Sequence, residues 1–399
     1  MPQHTERLAE VGPIDPRTGF PFWYEDSTGL RLELVWAPGD DFAPVVIDPE
    51  ESGPLRDIGA FPGESFYLSA ETRLPLGGGE DDAEARVILA LEATFATEGV
   101  LDGQQIVFGR VRFRVDEGRP DTMYLLTHPY GTMTVTTDDD GEGSATEDIG
   151  LKPLDFEGAL TSSIAPFLRW TPDPDLDFAR YVGDGGSEHT VTGSPLGTNY
   201  AMVEGPGVGS GGGGPDPNDP TNPDKVYTDL FVLQGRVART HGAEIGRAVY
   251  TRSAAGEVVV AVFARSIPGQ QLTLAIPALP DTPMQGGEDI HYLARVDAGG
   301  SVPEQITVTN TTDPTPVPTT ADVVDAVEIT QADYSTPART LTVAATSSDE
   351  QSPPALTVTG RGGLSGPVGV LTGLDAPPPV ITVTSAAGGS STRSVRVVG

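Results

Sequence analysis

Short runs of Val, Thr and Ile, broken by Gly, Pro, Asp or Ser, recur from one end of this 399-residue chain to the other. Runs at residues 105–115 (QIVFGRVRFRV), 122–127, 132–136, 257–264, 271–276, 305–309, 340–345, 355–359 and 380–384 alternate apolar with polar side chains. In a strand such alternation turns every second side chain to one face, so a run buries one face and wets the other. Gly supplies 49 residues and Pro 37, which leaves few stretches long enough for a helix. The pattern predicts an all-β chain of sandwiches or barrels. One segment competes. Residues 80–96 (EDDAEARVILALEATFA) read as a helix with an acidic first turn, while residues 86–95 read equally as a strand.

The breaks divide the chain. Residues 205–225 (GPGVGSGGGGPDPNDPTNPDK) read as a linker, flexible where Gly-rich and stiffer where Pro-rich. Before it stand an extended arm (1–16) and one large, jelly-roll-like β-sandwich (17–204). After it, a weaker break at residues 311–320 (TTDPTPVPTT) separates two smaller sandwiches, 226–312 and 321–399. These two repeat one order of motifs. Ala248-x-Tyr250, a strand ending at Ser266, Leu272-Thr-Leu274 and Ile306-Thr-Val-Thr match Ala332-x-Tyr334, a strand ending at Ser347, Leu356-Thr-Val358 and Ile381-Thr-Val-Thr. A duplicated unit of this size, made of strands, predicts tandem immunoglobulin- or fibronectin-like sandwiches.

Charge removes whole classes of function. The 24 Lys and Arg face 57 Asp and Glu, a net charge of −33. That field repels phosphate and excludes nucleic acid as a partner. It also favours solubility and offers carboxylates to divalent cations. With no Cys, neither a disulfide framework nor a cysteine-ligated metal centre can form. No run nears the ~18 apolar residues of a membrane span. The N-terminus, MPQHTERLAEVGPIDP, lacks the basic-then-apolar pattern of a cleavable signal.

Aromatic residues concentrate in the N-terminal region, which holds Trp23, Trp36 and Trp170. In residues 19–30 (GFPFWYEDSTGL), Phe20, Phe22 and Tyr24 fall at period two, with Trp23 on the other face. That is core-strand spacing. The same rings on a β-platform would stack on sugars or pack into a neighbouring subunit. The stretch 138–148 (DDDGEGSATED) sets Asp138, Asp140, Glu142 and Gly143 in the register of an EF-hand loop, but position 12 is Ile149 and no flanking helices are evident. It reads either as an irregular calcium loop, with Asp138, Asp140, Glu142 and Asp148 as ligands and Ca2+ as the candidate cofactor, or as a solvated acidic hairpin. His4, His128, His189, His241 and His291 are scattered, with no HExxH spacing and no GxSxG elbow. No enzyme is predicted; a hydrolase site would have to assemble around His128 or His189.

Two strings carry a resemblance, residues 18–29 (TGFPFWYEDSTG) and 189–200 (HTVTGSPLGTNY). Residues 105–115, 127–131 (THPYG), 166–170 (PFLRW) and 380–389 (VITVTSAAGG) fit the same pattern. The chain resembles an uncharacterised family of bacterial multi-domain β-proteins of the cell surface or extracellular space. The resemblance spans nearly the whole chain and implies a location but no activity. It also implies cysteines near residues 35–45, where this chain has VWAPGDD at 35–41 and none.

The expectation is therefore a structural protein, outside the cell or on its surface, that forms a homo-oligomer or polymer (filament, sheath or layer). The contacts would be strand edges, or the arm completing a neighbour's sheet through Val11 and Ile14. The alternative is a carbohydrate- or polymer-binding protein, meeting a glycan or cell surface through Trp23, Tyr24, Trp36 or Trp170.

Overall fold

The computed structural model describes residues 4–79, 82–211 and 213–399. The chain is all-β, with 47% of it in strands and 2% in helix. The competing segment is a strand, Glu84–Phe95; Glu80 and Asp81 lie outside the described residues. Strand wins there because Ala85, Val87, Leu89, Leu91 and Ala93 are buried on one face between two paired neighbours, with Ala90 and Glu92 of the other face covered as well. The chain forms two units, Met1–His241 and Gly242–Gly399.

Among the described residues of the first unit, three larger sheets and a two-stranded ribbon (Gly53–Pro54 with Ala60–Phe61) surround one core. A small sheet begins with β1 (Leu8–Val11), β2 (Trp23–Asp26) and β3 (Arg31–Glu33). The large sheet is built on a meander of β4 (Ser65–Pro75), β5 (Glu84–Phe95) and β6 (Gln105–Asp116). β7 (Met123–His128) and β8 (Gly131–Thr136) start a third sheet, and β9 (Gly143–Ile149) edges β6. β10 (Arg169–Trp170) and β11 (Glu188–Thr192) take the far side of the large sheet. β12 (Ala201–Glu204) and β13 (Lys225–Thr228) extend the third sheet from β7. β14 (Leu230–Gln234) pairs with β4 and β11, and β15 (Arg236–Val237) closes the small sheet on β3.

The expected linker is not a linker. β12 and β13 pair antiparallel across residues 205–225, and β14 then enters the large sheet. The segment is a hairpin loop inside the first unit, seated on the β4–β5 turn. The Gly77 N–H donates to the Val208 carbonyl. A Cβ on Gly211 would stand 2.2 Å from the Leu76 carbonyl carbon. Flexible coil and close backbone approach both select glycine, so composition alone does not separate them. The N-terminal unit therefore runs to His241.

The second unit holds two cores, one from Ala243 to Val323 and one from Ile329 to Val383. The first sandwich begins near 243, not 226. The TTDPTPVPTT stretch lies within it, as the loop after β22 and the first residues of β23 below, and is not a boundary. In module one, β16 (Glu244–Arg252), β17 (Val258–Arg265), β18 (Leu272–Ala275), β19 (Thr282–Pro283), β20 (Gln285–Gly286), β21 (His291–Gly299), β22 (Gln305–Asn310), β23 (Pro318–Asp322) and β24 (Val324–Asp325) form sheets β20-β21-β17-β16-β24 and β19-β18-β22-β23. In module two, β25 (Val327–Ser335), β26 (Thr340–Ser347), β27 (Leu356–Val358), β28 (Gly362–Gly363), β29 (Val368–Thr372), β30 (Val380–Ser385), β31 (Ser390–Ser394) and β32 (Arg396–Val398) form β29-β26-β25-β32 and β28-β27-β30-β31.

The two orders match strand for strand, save that module two has no counterpart of β20. In both, the last strand runs parallel to the first. Both first strands carry a register shift at the same place, between Ile245 and Arg247 and between Ile329 and Gln331. Shared bulges of this kind are built-in features of a fold.

A polar latch joins the modules. Asp349, 3% exposed, accepts from the Tyr250 hydroxyl at 3.1 Å and lies 3.3 Å from Arg252 Nη1. The Ser348 hydroxyl donates to the Tyr250 carbonyl at 2.6 Å. The main chain adds Arg252 N–H to Ser348 O and Glu350 N–H to Arg252 O. Asp325, buried at the same joint, accepts from the Ser347 hydroxyl and the Gly389 N–H.

Candidate functional site

The arm is not free extended chain, contrary to expectation. β1 pairs antiparallel with β2 of the same chain, setting Val11 opposite Tyr24. Leu8 is buried, and His4 bonds the Ser163 carbonyl at 2.8 Å. Val11 packs against the core, and Ile14 bridges back to Pro21. Met1 to Gln3 lie outside the described residues. An arm used this way has spent one main-chain edge internally, and β1 ends the small sheet.

The aromatic candidates are mostly core. Trp23 is 1% exposed, with Nε1 donating to the His241 carbonyl at 3.2 Å and Arg31 5.0 Å from its ring. Gly12 makes this possible, since a Cβ there would meet the indole at 2.7 Å. Tyr24 is fully buried; its hydroxyl donates to the Phe156 carbonyl, and burial raises its pKa well above the usual phenol range. Trp170 is buried and stacks on His189 at 4.6 Å. Only Trp36 keeps an exposed part, its other face stacked on Phe61. A sugar platform from Trp23, Tyr24 and Trp170 is therefore corrected to core packing. Period two placed Phe20, Phe22 and Tyr24; Trp23 was hidden by a second layer that strand spacing does not reveal.

The acidic candidates do not converge. Asp138 Oδ1 accepts from the Asp140 and Glu142 N–H groups, which closes a tight turn. The Glu142 carboxylate accepts from the Glu117 N–H. Asp148 stands on β9 in a two-point pair with Arg110, whose Nη1 also reaches Glu92. Among the described residues no cluster of three acidic or His side chains is arranged for a metal. The four expected calcium ligands are not brought together: Asp138 and Glu142 hold the backbone of an acidic hairpin and Asp148 holds Arg110.

His128 and His189, the two histidines around which a hydrolase site was to assemble, sit in packed surroundings. His128 is buried and its pKa falls to about 4, first from burial and then from the neighbouring His4. His189 lies between the Trp170 ring and Asp173, 3.3 Å from its carboxylate.

What remains for contact is a strand edge. β29 pairs with β26 on one side only and ends its sheet. Its sequence, VGVLT, has no charge. Val368 and Val370 are 51% and 56% exposed. At the same place in module one, β20 pairs with β21 opposite Leu293 and Tyr292 and takes up part of that main-chain edge. Several other edges carry charges: Glu10 on β1, Glu147 and Asp148 on β9, Asp322 on β23, Arg393 on β31; β8 (GTMTVT) is also an uncharged edge, but its exposed side chains are threonines. A flat, uncharged, apolar edge is the kind that pairs with another chain.

No family model matches the chain, and no curated protein matches it either. Among solved structures it is similar to a protein of unknown function from Porphyromonas gingivalis W83, with 14% identity, TM-score 0.16, and coverage of 39% of this chain and 98% of that one. It is similar to a Ca2+-stabilized adhesin described as helping an Antarctic bacterium reach out and bind ice, at 13% identity and TM-score 0.15, covering 92% of this chain and 100% of that one. It is also similar to the BSP domain of a biofilm associated protein, at 9% identity and TM-score 0.21, covering 99% of both. Similarity at these TM-scores says nothing about what the chain does. No helix among the described residues is long and apolar enough to cross a membrane.

Proposed function

We propose that this chain is a structural β-protein of the cell surface or extracellular space that self-associates by pairing the free edges of β29. The observation that carries the reading is the uncharged, unpaired strand Val368–Thr372 with two exposed valines. Two copies meet antiparallel about a two-fold axis centred on Val370, joining two four-stranded sheets into one. An absence of Cys, an acidic surface and tandem modules support the extracellular setting. With −33 on each copy, long-range repulsion opposes association, so contact is favoured at a strand without charge and strengthened by salt.

Val370→Lys tests the reading. Across the two-fold, lysine would face lysine, and like charges directly opposite destabilise a strand pair. In sedimentation velocity the wild-type chain associates more as salt rises, while V370K stays monomeric. Equal association of V370K, or a wild type monomeric at every salt concentration, would overturn it.

A further inference from the structure

The duplication supplies its own control for a second surface. On module one the outer face of β16, β17 and β21 sets Arg247, Phe263 and Leu293 in one cross-strand row. Phe263 is 44% and Leu293 39% exposed. The Arg247 guanidinium lies 5.8 Å from the Phe263 ring centre, brought there by the bulge between Ile245 and Arg247. One step along β17 stands Arg265; one step the opposite way along β21 stands Arg295, across from Ala261. At about 3.3 Å per strand residue, Arg265 and Arg295 are separated by about 13 Å along the strand direction. The apolar pair lies between them.

This face is cationic in a strongly acidic chain. Arg265 has Glu244 at 3.9 Å, both half-exposed. Among the described residues neither Arg247 nor Arg295 has a carboxylate within ion-pair distance. Asp297 is a further acid on this face, and its Oδ1 accepts from the Gly299 N–H.

Module two shows that the fold does not need these side chains. Its matching register puts Gln331 where module one has Arg247, Ala344 for Phe263, Thr346 for Arg265, Val368 for Leu293 and Val370 for Arg295. The same sheet closes with no aromatic and no arginine there. An exposed aromatic ringed by arginines, dispensable to the fold, is what an interface hot spot looks like.

We infer that this face binds an acidic polysaccharide. The apolar face of a sugar ring lies on Phe263 and Leu293, and its carboxylates pair with Arg247, Arg265 and Arg295. A flat sheet does not enclose a small anion, but an extended polymer lies across it. Duplex nucleic acid, at one charge per ~1.7 Å, meets the full repulsion of the acidic chain. A polyuronate carries its charges more sparsely and offers rings to stack.

The test uses the full chain and polygalacturonate as probe, with dextran, dextran sulfate and duplex DNA alongside, read by affinity electrophoresis and calorimetry. The variant R247Q/F263A/R265T/L293V/R295V installs the residues that module two already tolerates. Wild type binds polygalacturonate and not dextran, and the variant binds at least tenfold more weakly. F263A alone weakens binding while leaving its salt dependence intact, which separates stacking from charge. V370K binds as wild type does, so failure of edge pairing and failure of this inference are distinguishable. No binding of polygalacturonate by wild type, full retention by the five-fold variant, or equal binding of dextran sulfate or DNA overturns it.

Discussion

Asp26, 1% exposed, shows how much one carboxylate holds. Its Oδ1 accepts from the Thr28 N–H and hydroxyl and the Leu30 N–H, closing the β2–β3 turn. Its Oδ2 accepts from the Phe167 N–H, far along the chain, at 2.8 Å. Asp26→Ala strands buried donors and removes charge-assisted bonds, so it should cost about 3 kcal/mol or more, checked by denaturant unfolding. His128 sets a pH dependence. In the folded chain it stays neutral down to about 4, while the unfolded chain takes up a proton below 6.5. The unfolded state then binds more protons, so stability is present above 6.5 and is lost as pH falls toward 4. His128→Gln should flatten that loss, and an unchanged acid-unfolding midpoint would contradict the assignment. Phe20, Phe22 and Tyr24 were legible as core from spacing. The roles of Asp26 and Gly12 were not, because each depends on a partner distant in sequence.

Among the elements, strands were legible and their neighbours were not. Alternation marked β6 and β17, β5 read equally as helix or strand, and the repeated A-x-Y and ITVT strings marked the two matching modules. The N-terminal arm looked free because four residues of β1 carry a weak signal, and its pairing with β2 is a tertiary fact. The loop at 205–225 looked like a linker because Gly has two uses. The free edge of β29 became visible only by comparison with β21, which β20 covers in part. The latch between modules makes a prediction at this scale. Asp349→Ala leaves the Tyr250 hydroxyl and Arg252 without their carboxylate at a buried joint. The two modules should then unfold in separate calorimetric transitions where the wild-type unit shows one. A single unchanged transition would show that the remaining main-chain bonds suffice.

For the whole molecule, the all-β class and the duplication were legible in the sequence. It misplaced the division between units, which falls at His241 and not within residues 205–225. The candidate site was the least legible part. Conspicuous aromatics and acids proved to be core and turn closures, while a plain VGVLT strand and three separated arginines carry the proposals. Residue type announces chemistry more readily than it announces exposure, and contact between chains depends on exposure. If copies join at the β29 edge, hydrogen exchange of the intact chain over a series of protein concentrations, in moderate salt, will register it at that strand. Amide protection over residues 368–372 should rise with concentration while protection at β1 stays constant. Protection at 368–372 that does not change with concentration, or a rise at β1 instead, would contradict it.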